Sequence, residues 1–411
     1  MSSNSPFRPV PETGVIYVMS RAAELGFTYT NAAWSNLGQG APEVGEIPDA
    51  PARLKNIPIE DSSYYEYAPV VGLSELRQAV ADLYNKRYRK NKNSKYTFEN
   101  VAICSGGRLA LTRLISCLGK SNIGHYIPDY TAYEELLSTY GTFMPVPIHL
   151  ESKLNFQQPS DTLTKTIERF GLSCILLSNP NNPTGKVIIG EELQNYIETA
   201  SSLGCSVIFD EFYSHYLYAE KITSVSAAEY IEDVNEEEIF ILDGLTKNWR
   251  YPGFRVSWTL GPKDVIKKIA SAGSFLDGGC SHPIQKGVLP LIKEEIANQE
   301  AKAIQKHFIE KRDYLYNELT GLGIKIDKKP EAGFYLWGDV SGLPADKNRG
   351  MTFFEACLKE KVIVVPGIFF DINPGQRRPE RQQRFERYVR FSFGPEMKEL
   401  QRAVGNIKKV L

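Results

Sequence analysis

The chain has 411 residues, 42% of them hydrophobic and 24% charged, with a formal net charge of -1. That length suits two domains sharing a large core, and the near-zero charge gives no reason to expect nucleic-acid or anionic-membrane binding. The start, MSSNSPFRPVPETG, lacks a secretory pattern, no apolar run reaches the roughly 18 residues of a spanning helix, and the six cysteines form no CxxC pair, so a cytoplasmic protein with reduced thiols is expected.

Residues 1–45 read as an N-terminal arm. VPETGVIYVMSRAAELGF predicts a helix opened by Thr13, with Val15, Met19 and Ala22 or Ala23 on one face. In NLGQGAPEVG, Gly38 and Gly40 allow the backbone to approach a ligand closely, or simply make a surface turn. YYEYAPVVGLSELRQAVADLYNKRY sets Pro and Gly before a helix carrying Leu73, Leu76, Val80 and Leu83 at helical spacing. NVAICSGGRLALTRLISCL reads as strand, Gly-rich turn and helix. Such a turn leaves free N–H groups at a helix start, a setting suited to phosphate; by itself it is also an ordinary tight turn.

IGHYIPDYTAYEEL and MPVPIHLE add a further strand and helix pair. SCILLSNPNNPTGKVI runs a buried strand into Asn179-Pro180-Asn181-Asn182-Pro183-Thr184-Gly185, a loop stiffened by two prolines. After a helix near 190–203, CSVIFDEFYSHY ends a strand on Asp210 and Tyr213. IFILDGLTKNWRYPGFRVSW then runs a second strand into Thr246, Lys247 and Arg255. Strands alternating with helices from about 100 to 260 predict an α/β fold with a mostly parallel sheet between helices.

From about 263 the helical pattern dominates, broken at SFLDGGCSHP, with a long charged helix expected near 286–320. GIKIDKKPEAGFYLWGDV, KVIVVPGIFF and RYVRFSFG read as strands of a smaller α+β domain, and MKELQRAVGNIKKVL as the last helix. The expected division is an arm over 1–45 that joins the small domain, a large domain over 46–300 and a small domain over 301–411. The arginine-rich stretch around 376–387 reads as a solvated loop. The five histidines show no metal spacing; His215, near Asp210, suits packing or support of the site rather than chemistry.

Several groups converge on one crevice beyond the carboxyl ends of the strands, where open parallel sheets bind ligands. The Gly-rich turn, Thr246 and Arg255 suit a phosphate. Asp210 suits a protonated ring nitrogen. Asn182 and Tyr213 suit a phenolic oxygen. Lys247, partly desolvated near other cations, becomes a Schiff-base nucleophile. Phosphate, ring nitrogen, phenolic oxygen and aldehyde belong together in pyridoxal 5′-phosphate.

SNPNNPTG, VIFDEFY, DGLTKNWRYPGFRVSW and RYVRFSFG, in that order, make the chain resemble the fold-type I pyridoxal-phosphate enzymes of the aminotransferase class I/II superfamily. The resemblance spans nearly the whole chain. It implies the aspartate aminotransferase-like fold and a homodimer with shared active sites. It gives Lys247 the cofactor aldehyde and the Cα proton, Asp210 the pyridine nitrogen, and Asn182 and Tyr213 the ring oxygen. It gives Thr246, Arg255, Gly106, Gly107 and Arg108 the phosphate. Arg108 departs from the small residue or Ser/Thr found in many relatives. Tyr130 corresponds to an aromatic stacked on the ring, Tyr67 to a tyrosine reaching the neighbouring subunit's phosphate, Arg390 to the arginine for the substrate α-carboxylate, and Gly40 to a backbone contact with it.

Transamination of an amino acid is the expected outcome. The alternative keeps the cofactor and changes the product: a cyclodehydratase, eliminating enzyme or oxidase acting on a guanidino amino acid, of the kind that makes enduracididine or capreomycidine from arginine or hydroxyarginine. It would use Glu12 and Asp277 to hold the guanidinium, unless Glu12 merely caps a helix and Asp277 faces solvent. No arginine lies between Arg255 and Arg312, which argues against aspartate as the preferred substrate. A ligand-sensing regulator would need a DNA-binding module for which the chain has no spare length.

Overall fold

The apolar runs between residues 101 and 260 assemble into one seven-stranded sheet. Its strands are β1 (Val101–Cys104), β2 (Asn122–Ile127), β3 (Met144–His149), β4 (Cys174–Ser178), β5 (Ser206–Asp210), β6 (Ile239–Gly244) and β7 (Ser257–Leu260). This computed structural model describes residues 7, 10, 12, 14–57, 59–154, 156, 157, 159–219 and 222–411. The strand order is β1-β7-β6-β5-β4-β2-β3. Of these seven strands, β7 alone runs opposite to the other six.

The central strands are apolar on both faces because helices cover both. Ile175, Leu176, Val207, Ile208, Phe209 and Ile241 are all buried. β3, MPVPIH, sits at the edge, where prolines cost no ladder bonds. The carboxyl ends of β1, β2, β4, β5 and β6 lie on one edge of the sheet. Because β7 is antiparallel, the residue leading into it, Arg255, arrives at that same edge.

The C-terminal third supplies a second sheet. Val365–Pro366 pairs with β9 (Tyr388–Ser392), which pairs with β8 (Tyr335–Asp339), all antiparallel. Ser35–Asn36 pairs in parallel with Val362–Ile363, so the N-terminal segment is tied to the C-terminal third.

Two expected elements differ in detail. The first helix spans Gly14–Glu24 but buries Gly14, Val18 and Ala22 rather than Val15 and Met19. Its N-terminus packs so closely on Phe369 that a Cβ at Gly14 would collide with that ring. This contact turns the stripe by one position. Thr13, its expected opener, lies outside the described residues. The long charged helix starts at Glu294 and ends at Gly321, not near 286. Pro290 interrupts the pattern, and His282–Val288 is a separate helix. All six cysteines are free. Among the described residues no helix is long and apolar enough to cross a membrane.

Candidate active site

The edge of the seven-stranded sheet collects the predicted cluster. Ser178 on β4, Asp210 on β5 and Leu242 on β6 share one register level, and Cys104, Gly244 and Ser257 share another. The loops leaving those positions carry the candidate side chains.

Asp210 ends β5. Its Oδ2 accepts the Tyr133 hydroxyl at 2.7 Å, and its Oδ1 accepts the Phe212 N–H at 3.4 Å. Burial pushes its carboxyl up to about 6, against the pull of those donors and of Lys247. No side-chain cation is hydrogen-bonded to it among the described residues. Tyr133 was not anticipated, although it lies three residues after Tyr130 at helical spacing.

Lys247 follows β6, and its amine donates to the Gly40 carbonyl. Burial pushes its pKa down to about 7, helped by the guanidinium groups of Arg390, Arg255 and Arg108 and opposed by Asp210. The residues after it form a rigid base. Asn248 Nδ2 donates to the Glu211 carbonyl, Ser214 Oγ and Asp243 Oδ1 at 3.1, 2.9 and 2.7 Å. Trp249 Nε1 donates to the Leu291 carbonyl at 3.1 Å. Arg250 is paired with Glu300 at 2.7 Å in a dry setting. The Tyr216 hydroxyl donates to the Lys247 carbonyl at 3.0 Å.

His215 belongs to this base. Its Nδ1–H donates to the Asn248 carbonyl and its Nε2 accepts from Arg87 Nη1, each at 2.8 Å. Burial and the neighbouring guanidinium hold it neutral. Its role is to brace the Lys247 loop.

The phosphate candidates meet at the Gly-rich turn. Gly106 adopts φ 94°, and a Cβ there would collide with the Arg255 guanidinium. Only glycine permits both. A Cβ on Gly107 would press on the Phe212 ring. The helix Gly107–Ser116 starts there, and helix starts attract anions. The Thr246 hydroxyl is buried with no hydrogen-bond partner among the described residues. A hydroxyl, a guanidinium and a glycine cradle with no carboxylate bonded to them among the described residues fit a phosphate. Arg108 donates to the Tyr130 hydroxyl at 3.2 Å, so it reaches across the crevice to the aromatic.

Arg390, on β9, is 2% exposed. Its Nη1 donates to Asn182 Oδ1 at 2.9 Å and its Nη2 to the Gly38 carbonyl at 2.7 Å. Its Nε is buried without a hydrogen-bond partner among the described residues, and its guanidinium carbon lies 4.1 Å from the Tyr335 ring centre. The Tyr213 and Tyr335 hydroxyls are 2.9 Å apart. Tyr335 escaped the sequence reading because its strand alternation resembles ordinary core.

Three expectations fare differently. Tyr67 is 97% exposed. Asp277 is neither solvent-facing nor open to a ligand. Buried Arg113 takes both of its oxygens, with Nε 2.9 Å from Oδ2 and Nη2 on Oδ1. The guanidinium it holds comes from its own chain. Glu12 lines a cavity of about 270 Å³ with Thr131, Glu134 and Arg378; Lys247, Asp210 and Arg390 do not line it. In the arginine-rich stretch, Arg378 anchors the loop on buried Asp371 at 2.7 Å, while Arg377, Arg381, Arg384 and Arg387 are exposed.

Comparison with known proteins bears directly on this arrangement. Residues 32–407 match the aminotransferase class I and II family. The chain belongs to that family. It is 27% identical to a probable aspartate/prephenate aminotransferase of Aquifex aeolicus over 84% of this chain and 83% of the relative. It is 25% identical to an aspartate aminotransferase of Pyrococcus horikoshii over 92% and 90%. Its fold matches an aspartate aminotransferase of Thermus thermophilus with maleate at TM-score 0.79 and 22% identity, covering 98% of this chain and all of that one. As a family member the protein is an amino-acid aminotransferase that uses pyridoxal 5′-phosphate. The guanidino-modifying alternative finds no support in these relatives, and the engagement of Asp277 by Arg113 removes one of its two acids.

Proposed function

We propose that the enzyme transaminates an α-amino acid at Lys247, with the residues of the sheet edge in the roles their positions suggest. The observation that carries this reading is Lys247 itself: a half-buried amine, its pKa pushed down to about 7, among three guanidinium groups and near Asp210. When bound, pyridoxal 5′-phosphate supplies an aldehyde for that amine and a ring that takes up the electron pair released at the substrate Cα. Lys247 Nζ, once free, removes the Cα proton and returns it. Asp210 would keep the ring nitrogen protonated. Asn182 and Tyr213 would hold the ring oxygen, and Tyr130 would lie against the ring. Thr246, Arg255 and the amides of Gly106, Gly107 and Arg108 would hold the phosphate. Arg390 takes the substrate α-carboxylate by its planar fork, with the Gly38–Gly40 segment beside it.

Tyr67, with exposed Tyr65 and Phe275, is read as part of a homodimer face that completes the neighbouring phosphate site. The pairing of Ser35–Asn36 with Val362–Ile363 supports a small domain built from 1–45 and 301–411 around a large domain of 46–300. Six free thiols suit a cytoplasmic setting.

The test has two arms. Lys247→Ala is expected to abolish turnover and the visible band of lysine-bound cofactor while leaving thermal unfolding intact; full turnover would overturn the assignment. Wild-type holoenzyme mixed with single amino acids and no 2-oxo acid, in a panel holding aspartate, glutamate, aromatic residues and arginine, should release one equivalent of 2-oxo acid and stop. Product accumulating over many turnovers without an acceptor would overturn transamination.

A further inference from the structure

The loops leaving β2 and β4 meet over one fully buried carboxylate, Asp129, to which none of the roles above is assigned. Its Oδ1 accepts the Ser178 hydroxyl and, at 2.7 Å, the Tyr130 N–H. Its Oδ2 accepts the Ser178 N–H at 3.3 Å. Ser178 Oγ in turn accepts the Asn182 N–H and an Asn181 Nδ2–H, each at 3.2 Å. The Asp129 N–H donates to the Phe370 carbonyl at 3.3 Å. The Phe370 ring lies 4.9 Å from the Arg390 guanidinium, which itself bonds Asn182. One side chain therefore joins the segment carrying Tyr130 to the loop carrying Asn182, and its backbone joins both to the segment beside Arg390.

A buried carboxylate is costly unless paired, and the hydrogen-bond partners of this one are a hydroxyl and two amides. Burial pushes its carboxyl up to about 8, so near neutral pH it adds little charge beside Asp210. Its value is geometric rather than electrostatic. An apolar residue would fill the space without fixing either loop.

We infer that Asp129 is a positioning residue that locks Tyr130 and Asn182, and through Asn182 also Arg390, into one arrangement around the cofactor ring and the substrate carboxylate. This rests on the reading of Tyr130, Asn182 and Arg390 given above.

The test uses holoenzyme and three variants: Asp129→Ala, Asp129→Asn and Ser178→Ala. The readouts are the dissociation constant of pyridoxal 5′-phosphate, the pH midpoint of the bound cofactor's visible band, the split between kcat and KM, and Tm. Asp129→Ala is expected to weaken cofactor affinity and kcat/KM each by about 10- to 100-fold, the scale of losing hydrogen bonds at a buried group, and to move the pH midpoint. Asp129→Asn keeps the oxygen that accepts the Ser178 hydroxyl and the Tyr130 N–H, losing only the 3.3 Å acceptor of the Ser178 N–H, and should recover most of both. Ser178→Ala should reproduce the midpoint shift, because the Asn182 amide loses its acceptor. A lowered Tm with wild-type affinity, midpoint and kcat/KM in Asp129→Ala would reduce Asp129 to a structural part and overturn the inference. If that variant does not fold, unchanged affinity and midpoint in Ser178→Ala overturn it instead. Lys247→Ala run in parallel separates the two failures: an active Lys247→Ala sinks the functional reading, whereas an inactive one beside a wild-type-like Asp129→Ala sinks only this role.

Discussion

Asp210 ends a strand and Asp277 caps the end of a helix, yet the two acids are treated in opposite ways. Asp277 is saturated by Arg113, which lies against Gly273 and also bonds the Val70 carbonyl at 3.0 Å. Asp210 receives one phenol and one weak amide, and burial raises its pKa. The protein satisfies the carboxylate that holds its frame and leaves underpaired the one proposed to hold a cationic ligand. A carboxylate with spare capacity in a desolvated crevice is the signature of a site; the same group with a full guanidinium is architecture.

The sharpest way to break this contrast is to neutralise each acid. Asp210→Asn keeps the shape and removes the charge, and kcat should fall by about 10²–10³, as when one preorganised electrostatic contact is lost. Tm should hold, since the group is underpaired to begin with. Asp277→Ala should do the reverse. It strands Arg113, whose side chain is fully buried, and unfolding free energy should drop by about 3–5 kcal/mol, read by urea denaturation. Folded Asp277→Ala should keep its kcat within a few-fold. Equal catalytic losses in the two variants would erase the distinction.

The pH response sharpens it further. In cofactor-free protein the Lys247 amine is neutral above about pH 7, so its reaction with a small aldehyde should rise through that pH, far below the ~10.4 of an ordinary lysine. Asp210 favours the charged amine, so Asp210→Asn should move the midpoint lower. Asp277→Asn should leave it in place. The same shift carries a stability sign. The folded amine releases its proton before the unfolded one, so this group adds stability as pH rises from about 7 toward 10.5, and that gain is absent below 7. Mass-resolved labelling of Lys247 across pH measures the first effect, and a pH series of Tm in Lys247→Met against wild type measures the second.

What was legible in the sequence was local. β5 and β6 announce themselves as apolar runs that stop on polar residues, and the rule that ligands sit beyond carboxyl ends brings Asp210 and Lys247 to one edge. Arg255 was readable for the same reason, once β7 reverses. What was not legible depends on partners far along the chain. Arg113 is 164 positions from Asp277, and nothing near either residue announces the other. Asp129 looks like a turn residue until Ser178 arrives 49 positions later. Gly14 meets Phe369 only because the two ends of the chain are folded together, and that contact shifts the buried face of the first helix.

The smallest expected effect belongs to Glu12. It is exposed, at the wall of a cavity shared with Glu134, which already accepts the Asn373 N–H at 2.9 Å and Gln376 Nε2 at 2.8 Å, and with Asp371, which already holds Arg378. An exposed carboxylate outside the Lys247 cluster has neither the desolvation nor the geometry to bind a substrate charge strongly. Glu12→Gln should therefore leave kcat/KM within about twofold for every amino acid in the panel, since such surface changes are worth under about 0.5 kcal/mol. A loss confined to arginine, with aspartate and aromatic substrates unaffected, would give Glu12 a substrate contact and reopen a guanidino side chain as the preferred one. A uniform twofold or smaller change would leave Glu12 a surface acid, outside both the Lys247 cluster and the Asp277–Arg113 frame.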